Sequence, residues 1–471
     1  MTTHLTLFPH QVEGVKWMLA RERANTGPKG GFLCDEMGVG KTAQMISTIS
    51  ENLKTNTLII VPKSIVGQWE KEIHRFAPHL SVYVYDGPDR FKDIENFKKH
   101  HVTISSYGLL TENDPILLNV EWGRVVLDEG HEIRNRRSKR SKAACALKSD
   151  VKWVITGTPI FNKIDDFVSL SSFIGFSQLE VQCEYDNIKN GYILRRTKND
   201  HNISCDATKC IFENVEIEMY PEEKDFYRDV FMESQDTIKE IFKNSSGNVT
   251  RHNMAILECF LRARQAMIWP QLYNEGVSKQ CGVELPKWEG RSKKMETLFR
   301  LISEHPTEKT LIFCQFIGEM NYISEQLDCP VFRIDGTCSR EQRETQLKKF
   351  ANAPMNSVMV IQVKAGGQGL NIQCASRVYI TSPAWNPGTE LQAIGRCHRS
   401  GQKKDVYVKK LIYVGDDMCP SVEEAIIGIQ VRKSKACAEV LNDKRIESQI
   451  PASEKMANMM SISEVRNIFR A

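Results

Sequence analysis

A glycine-rich run near the start of the chain contains the residue types that bind phosphate. The run is DEMGVGKT at 35–42, in which Gly38, Gly40, Lys41 and Thr42 match the end of a phosphate-binding loop. In such a loop, backbone N–H groups at the start of a helix face phosphate oxygens, the lysine reaches the β- and γ-phosphates, and the hydroxyl binds Mg²⁺. Asp35 stands where the pattern has its first glycine. The other four residues therefore carry the prediction of a nucleoside triphosphate site.

Two adjacent carboxylates follow a β-branched run further along the chain. VVLDEGH at 125–131 has the pattern of a buried parallel strand that delivers acids at its carboxyl end. Asp128 would hold the Mg²⁺ that Thr42 also binds, and Glu129 would orient and deprotonate the attacking water. These are the acids that ATP hydrolysis requires.

Two arginines in QAIGRCHRSGQ at 392–402 complete the set. Arg396 and Arg399 are three residues apart, which predicts that they share one helical face. Arginines that contact the transferring phosphate accelerate phosphoryl transfer by about 10³- to 10⁵-fold. Taken singly, each motif has an ordinary explanation, namely a turn into a helix, a solvated loop or a surface salt-bridge face. Together and in this order they favour an ATPase.

The elements that must position these residues are strands alternating with helices. Apolar runs near 32 and at 58–61, 102–105, 124–127 and 153–156 form one set, and runs at 310–314, 358–362, 377–380 and 406–412 form a second. This rhythm predicts an α/β fold with two parallel-sheet lobes. The predicted domains are a first, ATP-binding lobe at 1–200, a helical insertion at 201–290, a second lobe at 291–430 and a helical tail at 431–471.

Composition limits the class of protein. The chain has 471 residues, of which 41% are hydrophobic and 26% charged, as in globular proteins. The net charge of +4 is too small to establish nucleic-acid binding by itself. The 14 cysteines include no CxxC pair, so no zinc ribbon, RING finger or redox centre is predicted. With no secretion signal or membrane-spanning run, we expect an intracellular protein without a membrane partner.

The chain resembles the SWI/SNF-type ATPases of helicase superfamily two over about residues 5–430. The matching segments are LFPHQ at 7–11, LIIVPKSIVGQW at 58–69, ISSYGLL at 104–110, ITGTPIFN at 155–162, ILRRTK at 193–198, DGTCSREQRETQLKKF at 335–350, VKAGGQGLN at 363–371 and WNP at 385–387. The resemblance implies that the two lobes are RecA-like. It also accounts for Asp35, which that family itself carries in place of the glycine.

A further segment, FLRARQAMIWP at 260–270, is similar to the branch of the family that often carries a RING finger. The cysteines here lack the pattern of that finger, so ubiquitin ligation is not implied.

The resemblance implies further binding residues and the cofactors ATP and Mg²⁺. Gln11 is placed to pair with the adenine base, and Gly367 and Gly369 would let backbone amides approach ATP or a DNA phosphate. Two of the matching segments correspond to nucleic-acid-contacting motifs. Lys63 and Ser105 are therefore candidate contacts.

A basic run, IRNRRSKRSK at 133–142, places six cationic side chains directly after the two carboxylates. Charge runs are commonly solvated helix faces, but phosphate contact needs only positive charge in the right place. The candidate contacts are Arg134, Arg136, Arg137, Arg195, Arg196, Lys364 and Trp385. For Trp385 a packed, structural role is the alternative. No pattern for base-edge readout is present, so sequence-specific recognition is not predicted.

We therefore expect an ATP-driven translocase on double-stranded DNA that remodels protein–DNA complexes. Histones or nucleosomes, or transcription and repair proteins, are the implied partners, in the nucleus or in a viral or cytoplasmic DNA compartment. Two alternatives remain open from the sequence. One is a strand-separating helicase on RNA or single-stranded DNA, and the other is a DNA-binding scaffold with an inactive ATPase.

Overall fold

The computed structural model describes residues 7–87, 90, 94–110, 115–157, 164–197, 200, 208–244, 252–366, 372–398, 402–441 and 467–469. The chain divides into two compact units, which we call the first and second lobes. The first lobe comprises residues 1–207 and 435–450, and the second comprises residues 208–434 and 451–471. The helix Val422–Leu441, which crosses residue 435, is described with the second lobe.

The first lobe is an α/β unit built on a parallel sheet. Its elements are α1 (Pro9–Glu22), β1 (Lys29–Leu33), α2 (Lys41–Glu51), β2 (Thr57–Val61), α3 (Val66–Phe76), β3 (Val82–Tyr85), α4 (Ile94–Lys99), β4 (Val102–Ser106), β5 (Glu121–Trp122), β6 (Arg124–Asp128), α5 (Lys139–Cys145), β7 (Lys148–Ser149), β8 (Val151–Ile155), α6 (Ile164–Ile174), α7 (Gln178–Cys183), α8 (Tyr185–Tyr192) and β9 (Ile193–Leu194). Seven strands lie in the order β3-β4-β2-β6-β8-β1-β9, all parallel, while β5 pairs with β7.

Both faces of this sheet are buried, which explains why its central strands are continuously apolar. In β2, Leu58 and Ile60 pack into one core cluster, and Ile59 and Val61 pack into the cluster on the opposite face. Successive side chains of a strand point to opposite faces, so a strand covered on both sides must be apolar at every position.

The second lobe repeats this architecture with added helices. Its elements are β10 (Cys210–Ile217), α9 (Pro221–Asn244), α10 (Asn253–Ile268), α11 (Pro270–Cys281), α12 (Lys293–Ser303), β11 (Thr310–Cys314), α13 (Ile317–Gln326), β12 (Val331–Ile334), α14 (Arg340–Asn352), β13 (Val358–Gln362), α15 (Val363–Gly366), β14 (Arg377–Ile380), α16 (Pro387–Ile394), β15 (Val406–Tyr413) and α17 (Val422–Leu441). Six parallel strands lie in the order β10-β15-β14-β11-β13-β12.

Buried polar contacts fasten the added helices to the second sheet. The hydroxyl of Tyr413 donates to Glu223 Oε1 at 2.9 Å, joining β15 to α9. Lys294 Nζ donates to Glu423 Oε1 at 2.5 Å, joining α12 to α17, and both of these side chains are fully buried. Burial of charge is tolerated here because each charge is paired.

The predicted α/β fold with two RecA-like parallel-sheet lobes and a helical insertion is confirmed. Each predicted apolar run coincides with a strand, whereas the edge strands β3, β9, β10 and β12 and the short pair β5 and β7 were not predicted. The edge strands are only partly buried, and apart from β3, whose sequence is VYVY, they are short or contain polar and charged residues. The predicted tail at 431–471 lies largely outside the described residues. No helix in the described part of the chain is long and apolar enough to cross a membrane.

A buried ion pair joins α1 to β6 in the first lobe. Arg124 donates from Nε and Nη2 to the two carboxylate oxygens of Glu22, each at 2.6 Å, and neither side chain is exposed. Replacing Arg124 with methionine leaves the carboxylate buried without its cation. We expect the free energy of unfolding of this lobe to fall by about 3–5 kcal/mol, measured by denaturant titration followed by tryptophan fluorescence.

Lys98 provides the control for that measurement, because it pairs with Glu95 at the surface, where both side chains are about 60% exposed. Lys98→Met should leave the unfolding curve unchanged, since exposed pairs are screened by solvent. An Arg124→Met curve that coincides with the control would contradict the prediction.

Candidate nucleotide site and nucleic-acid contacts

Three strands of the first lobe end in one row across the sheet. Leu33, the last residue of β1, is in register with Ile155 at the end of β8, and Ile155 is in register with Asp128 at the end of β6. The segments that follow these strands are the glycine-rich loop, the carboxylate pair and the turn at Thr156–Gly157. Parallel pairing therefore brings residues from distant parts of the chain to one edge.

The glycine-rich loop has the backbone conformation that its glycines permit. Gly38 and Gly40 have φ angles of 90° and 91°, in the left-handed region that other residues rarely adopt. Gly40 directly precedes α2, and a Cβ at this position would lie 2.2 Å from Gln11 Nε2. The loop therefore leads into the amino end of α2, where the backbone N–H groups of a helix can bind phosphate.

Lys41 is held inside the loop. Its Nζ donates to the carbonyl oxygens of Asp35 and Glu36 at 2.7 and 3.3 Å. Desolvation lowers the pKa of Lys41, while the carboxylates of Glu129, Asp35 and Asp128 act in the opposite direction. The ammonium group is thus within electrostatic reach of both residues of the predicted carboxylate pair.

The carboxylate of Asp128 is fixed by two donors. The indole N–H of Trp69 donates to Oδ2 at 2.7 Å, and the backbone N–H of Glu129 donates to Oδ1 at 2.9 Å. Burial and the neighbouring Glu129 raise the pKa of Asp128 to about 6, against the lowering effect of these hydrogen bonds. Trp69 was not among the site residues predicted from the sequence. Its place in a segment that matches a family motif, together with its indole N–H donor, could have indicated a role at the site.

Glu129 has a strained backbone. Its φ of 50° makes it the one non-glycine residue with positive φ in the described part of the chain. Such a conformation costs of order 1–3 kcal/mol and is found preferentially at functional sites. Its Oε2 lies 3.3 Å from His131 Nδ1, and the side chain is 21% exposed. The backbone at Glu129 thus leaves the extended conformation of β6 directly after Asp128.

These residues fit a nucleotide with its magnesium ion. The loop amides and Lys41 carry N–H groups that could donate to phosphate oxygens, and Thr42 and Asp128 carry hard oxygen atoms of the kind that Mg²⁺ prefers. Among the described residues, no three His, Cys, Asp or Glu side chains are grouped to bind a metal alone. Mg²⁺ is usually bound by one or two carboxylates together with substrate phosphates and water, so hydroxyl and carboxylate oxygens of this kind suit it.

The segment expected to read adenine contacts the loop directly. Gln11 Nε2 donates to the carbonyl oxygen of Val39 at 3.2 Å, and Gln11 Oε1 accepts from the backbone N–H of Phe8 at 3.0 Å. His10 Nε2 lies 3.1 Å from the same Val39 oxygen. An amide group has two donors and two acceptor lone pairs, so Gln11 retains the capacity to bind a base edge.

Several candidate nucleic-acid contacts of the first lobe are at its surface. Lys63, Arg136 and Arg137 are exposed, and Arg134 is partly exposed. Arg136 Nη1 donates to Gln178 Oε1 at 2.5 Å. These side chains remain candidates for phosphate contact.

Three other candidates are engaged within the lobe. Ser105 is fully buried in β4, so its hydroxyl is not offered to a nucleic acid. Arg195 Nη1 donates to the carbonyl oxygen of Cys34 at 2.8 Å, and Arg196 forms an ion pair with Asp35 at 2.5 Å. Ser105 is therefore not placed to contact a nucleic acid, whereas Arg195 and Arg196 are partly exposed and their contact with DNA stays a prediction.

In the second lobe, the prediction that Arg396 lies on a helix is wrong. Helix α16 ends at Ile394, and Arg396 is a buried residue of the turn that follows, where its N–H donates to the carbonyl oxygen of Ala393 at 3.2 Å. The other predicted positions here lie outside the described residues, namely Arg399, Gly367, Gly369 and the side chain of Lys364. Their roles stay predictions.

Trp385 packs against another side chain of the second lobe. Its ring lies 5.3 Å from that of Phe260 in an edge-on arrangement, next to the core of the second lobe. This contact supports a structural role for Trp385, which was the alternative to contact with a nucleic acid.

Gln402 is a residue of the arginine motif whose role the sequence did not show. It is nearly buried, and its Nε2 donates to the carbonyl oxygens of Gln373, Ala375 and Cys397 at 3.0, 3.0 and 3.2 Å. One amide thus joins the segment after the glycine motif to the turn that carries Arg396.

Two family models match the chain, one in each lobe. Residues 10–191 match the SNF2-related domain, and residues 293–401 match the helicase conserved C-terminal domain. The chain belongs to the SWI/SNF-type, SNF2-related family. The predicted family is thereby confirmed, and the two matched regions contain the glycine-rich loop, the carboxylate pair and Arg396.

The relatives are longer proteins. A putative ATP-dependent helicase/translocase, YwqA of Bacillus subtilis, is 31% identical over 98% of this chain and 51% of its own length. The helicase-like transcription factor of Mus musculus is 27% identical over 88% of this chain and 53% of its own. The chain thus spans about half the length of these relatives.

Among solved structures, the Sulfolobus solfataricus SWI2/SNF2 ATPase core in complex with dsDNA is 29% identical, over 96% of this chain and 98% of that one. Its TM-score is 0.42.

The hydrogen bond from Trp69 gives a testable prediction about metal binding. Trp69→Phe keeps an aromatic ring at this buried position but removes the donor to Asp128. If Asp128 binds Mg²⁺, the apparent affinity for Mg²⁺ should fall about 10- to 100-fold, as when other outer partners of metal ligands are removed. The measurement is the Mg²⁺ dependence of binding of a fluorescent ATP analogue.

Trp122→Phe is the matched control, because it removes an indole that donates to a backbone carbonyl, that of Leu117, at 2.9 Å in the same lobe. An equal change in the two variants would show that Trp69 acts on stability alone and would contradict the prediction.

Proposed function

We propose that the chain is a DNA-dependent ATPase that translocates along double-stranded DNA and remodels protein–DNA complexes without necessarily separating the strands. The observation that carries this proposal is the row at the end of the first sheet. There the loop with Lys41 meets Asp128 and Glu129, in a chain that pairs an SNF2-related domain with a helicase C-terminal domain. The proposed targets are nucleosomes or transcription and repair proteins bound to DNA.

Each residue of the row has a proposed task in hydrolysis. The loop amides and Lys41 would bind the phosphates, and Thr42 and Asp128 would hold Mg²⁺, which neutralises charge on the phosphates. Glu129 would accept a proton from the attacking water, for which its partly exposed carboxylate and its turned backbone are suited.

The second lobe contributes proposed residues from its family motifs. Arg396 and Arg399 would supply cationic charge to the transferring phosphate. Gly367 and Gly369 would offer backbone amides to ATP or to a DNA phosphate.

The exposed basic segment after the carboxylate pair supports DNA contact. A short 3₁₀ turn, Gly130–Ile133, begins directly after Glu129 and leads into this segment. Arg136 and Arg137 are exposed there, together with Lys139 and Lys142 on α5. Cations placed in this way would bind a phosphate backbone without reading bases, as a translocase requires.

The experiment that tests the function compares ATP hydrolysis with duplex and with single-stranded DNA. We expect stimulation by duplex, and displacement of a third strand from a triplex without strand separation. Glu129→Gln should reduce the turnover rate by about 10²- to 10⁴-fold, because it removes the base, and Lys41→Ala should weaken ATP binding. Both variants should retain DNA binding.

Two outcomes would reject this function. Strong unwinding without duplex stimulation would indicate a strand-separating helicase. Unchanged activity in Lys41→Ala and Glu129→Gln would indicate a scaffold that does not use this site.

The basic segment can be tested through the salt dependence of DNA binding. Replacing Arg136 and Arg137 with glutamine should lower the slope of log affinity against log salt by about two, since each phosphate contact contributes about 0.9. The paired control is Lys98→Gln with Lys99→Gln, two exposed cations on α4. Equal slopes for the two double variants would exclude the segment from the DNA-binding surface.

A further inference from the structure

The residue that departs from the phosphate-loop pattern is the centre of a buried polar network. Asp35 is fully buried. Arg196 Nε donates to its Oδ1 at 3.1 Å, and Arg196 Nη2 donates to its Oδ2 at 2.5 Å, so the pair is bidentate. Gln44 Nε2 also donates to Oδ2, at 3.0 Å. Arg196 and Asp35 are 161 residues apart in sequence.

The backbone joins the same two segments. The N–H of Cys34 donates to the carbonyl oxygen of Leu194, and the N–H of Glu36 donates to that of Arg196, both at 2.8 Å. These bonds continue the parallel pairing of β1 with β9 beyond the ends of the strands. Residues 193–196, which we call the exit segment, thus lie along the start of the phosphate-binding loop.

The guanidinium of Arg196 also reaches the two helices beside the loop. Nη2 donates to Gln44 Oε1 on α2 at 2.7 Å, and Nη1 donates to the carbonyl oxygen of His10 on α1. A Cβ at Gly14 would lie 1.9 Å from Gln44 Oε1 and 2.7 Å from Arg196 Nη2, so a side chain at this position of α1 would have to displace both groups. The side chain of Arg196 therefore contacts the loop at Asp35, α2 at Gln44 and α1 at His10.

We propose that Arg196 is a positioning residue of the phosphate-binding loop, acting through Asp35, and that nucleotide binding and the exit segment are thereby coupled. The inference rests on the proposed function, because it presupposes that the loop binds ATP. If the exit segment stabilises the loop conformation that binds nucleotide, then nucleotide must stabilise the exit segment by the same free energy. The exit segment belongs to the last part of the first lobe before the chain enters the second at residue 208.

The geometry explains why these two residue types are used. Arginine presents a planar fork of donors that matches a carboxylate at two points, whereas lysine is a point charge on a flexible stem. Arg196→Lys therefore keeps the charge but loses the fixed orientation. A role confined to stability would resemble that of Arg124 with Glu22, a second buried bidentate pair of the first lobe.

The first measurement is the affinity for a fluorescent ATP analogue in the presence of Mg²⁺. Arg196→Lys should weaken binding roughly tenfold, as when an outer partner of a binding group is removed. Arg124→Lys removes a bidentate contact of the same kind from a pair that none of the loop residues joins, and it should bind the analogue as the unmodified chain does. Equal loss in both variants, at matched folded fractions, would overturn the proposal.

A double-variant cycle tests whether Arg196 acts through Asp35. Asp35→Asn keeps the shape of the side chain but removes the charge, and Arg196→Gln removes the fork. If the two residues act as one unit, the double variant should bind the analogue no more weakly than the weaker single variant. Losses of affinity that multiply in the double variant would show independent roles and would overturn the proposal.

Hydrogen exchange of the peptide covering residues 190–197 tests the reciprocal effect. In the unmodified chain, the analogue should slow exchange in this peptide, and in Arg196→Lys at a saturating concentration the slowing should be largely lost. Slowing of equal size in both would overturn the coupling.

These experiments also separate the inference from the proposed function. An unmodified chain that does not bind the analogue at all would refute the nucleotide site itself. An unmodified chain that binds it, with an Arg196→Lys variant that matches Arg124→Lys, would refute only the role of Arg196.

Discussion

The parallel pairing of β1, β8 and β6 is the constraint on which the candidate site depends. Because Leu33, Ile155 and Asp128 lie in one row, the segments that follow them must meet at the same edge of the sheet. Antiparallel pairing would place alternate strand ends at opposite edges. The site is thus a consequence of strand direction and register, and the chemical groups need only occupy the first positions after each strand.

Burial of charge then sets the orientation of these groups. Lys41 is held by the carbonyl oxygens of Asp35 and Glu36, Asp128 is fixed by Trp69, and Asp35 is fixed by Arg196. Buried ion pairs contribute little to stability compared with apolar packing, but removing one partner is costly. Such pairs therefore restrict the positions of the side chains around the loop more than they stabilise the fold.

The second lobe uses the same means around a different set of helices. Its sheet also has both faces buried, and charged or polar side chains such as Lys294, Glu423 and Gln402 are buried with partners. Arg264 Nη2 donates to the carbonyl oxygen of Pro383 at 2.9 Å and so joins the added helix α10 to the segment that carries Trp385. A segment with a family motif is again held by residues outside that motif.

The sequence by itself determined the central strands and the order of the motifs. These features are local, since a continuous apolar run or a short motif is read within a few positions. The tertiary structure decided the partly buried edge strands, the burial of Ser105 and the turn that carries Arg396. It also decided the partners of Asp128 and Asp35, which are 59 and 161 residues away. Such partners are chosen by the packing of distant segments, and no local pattern specifies that choice.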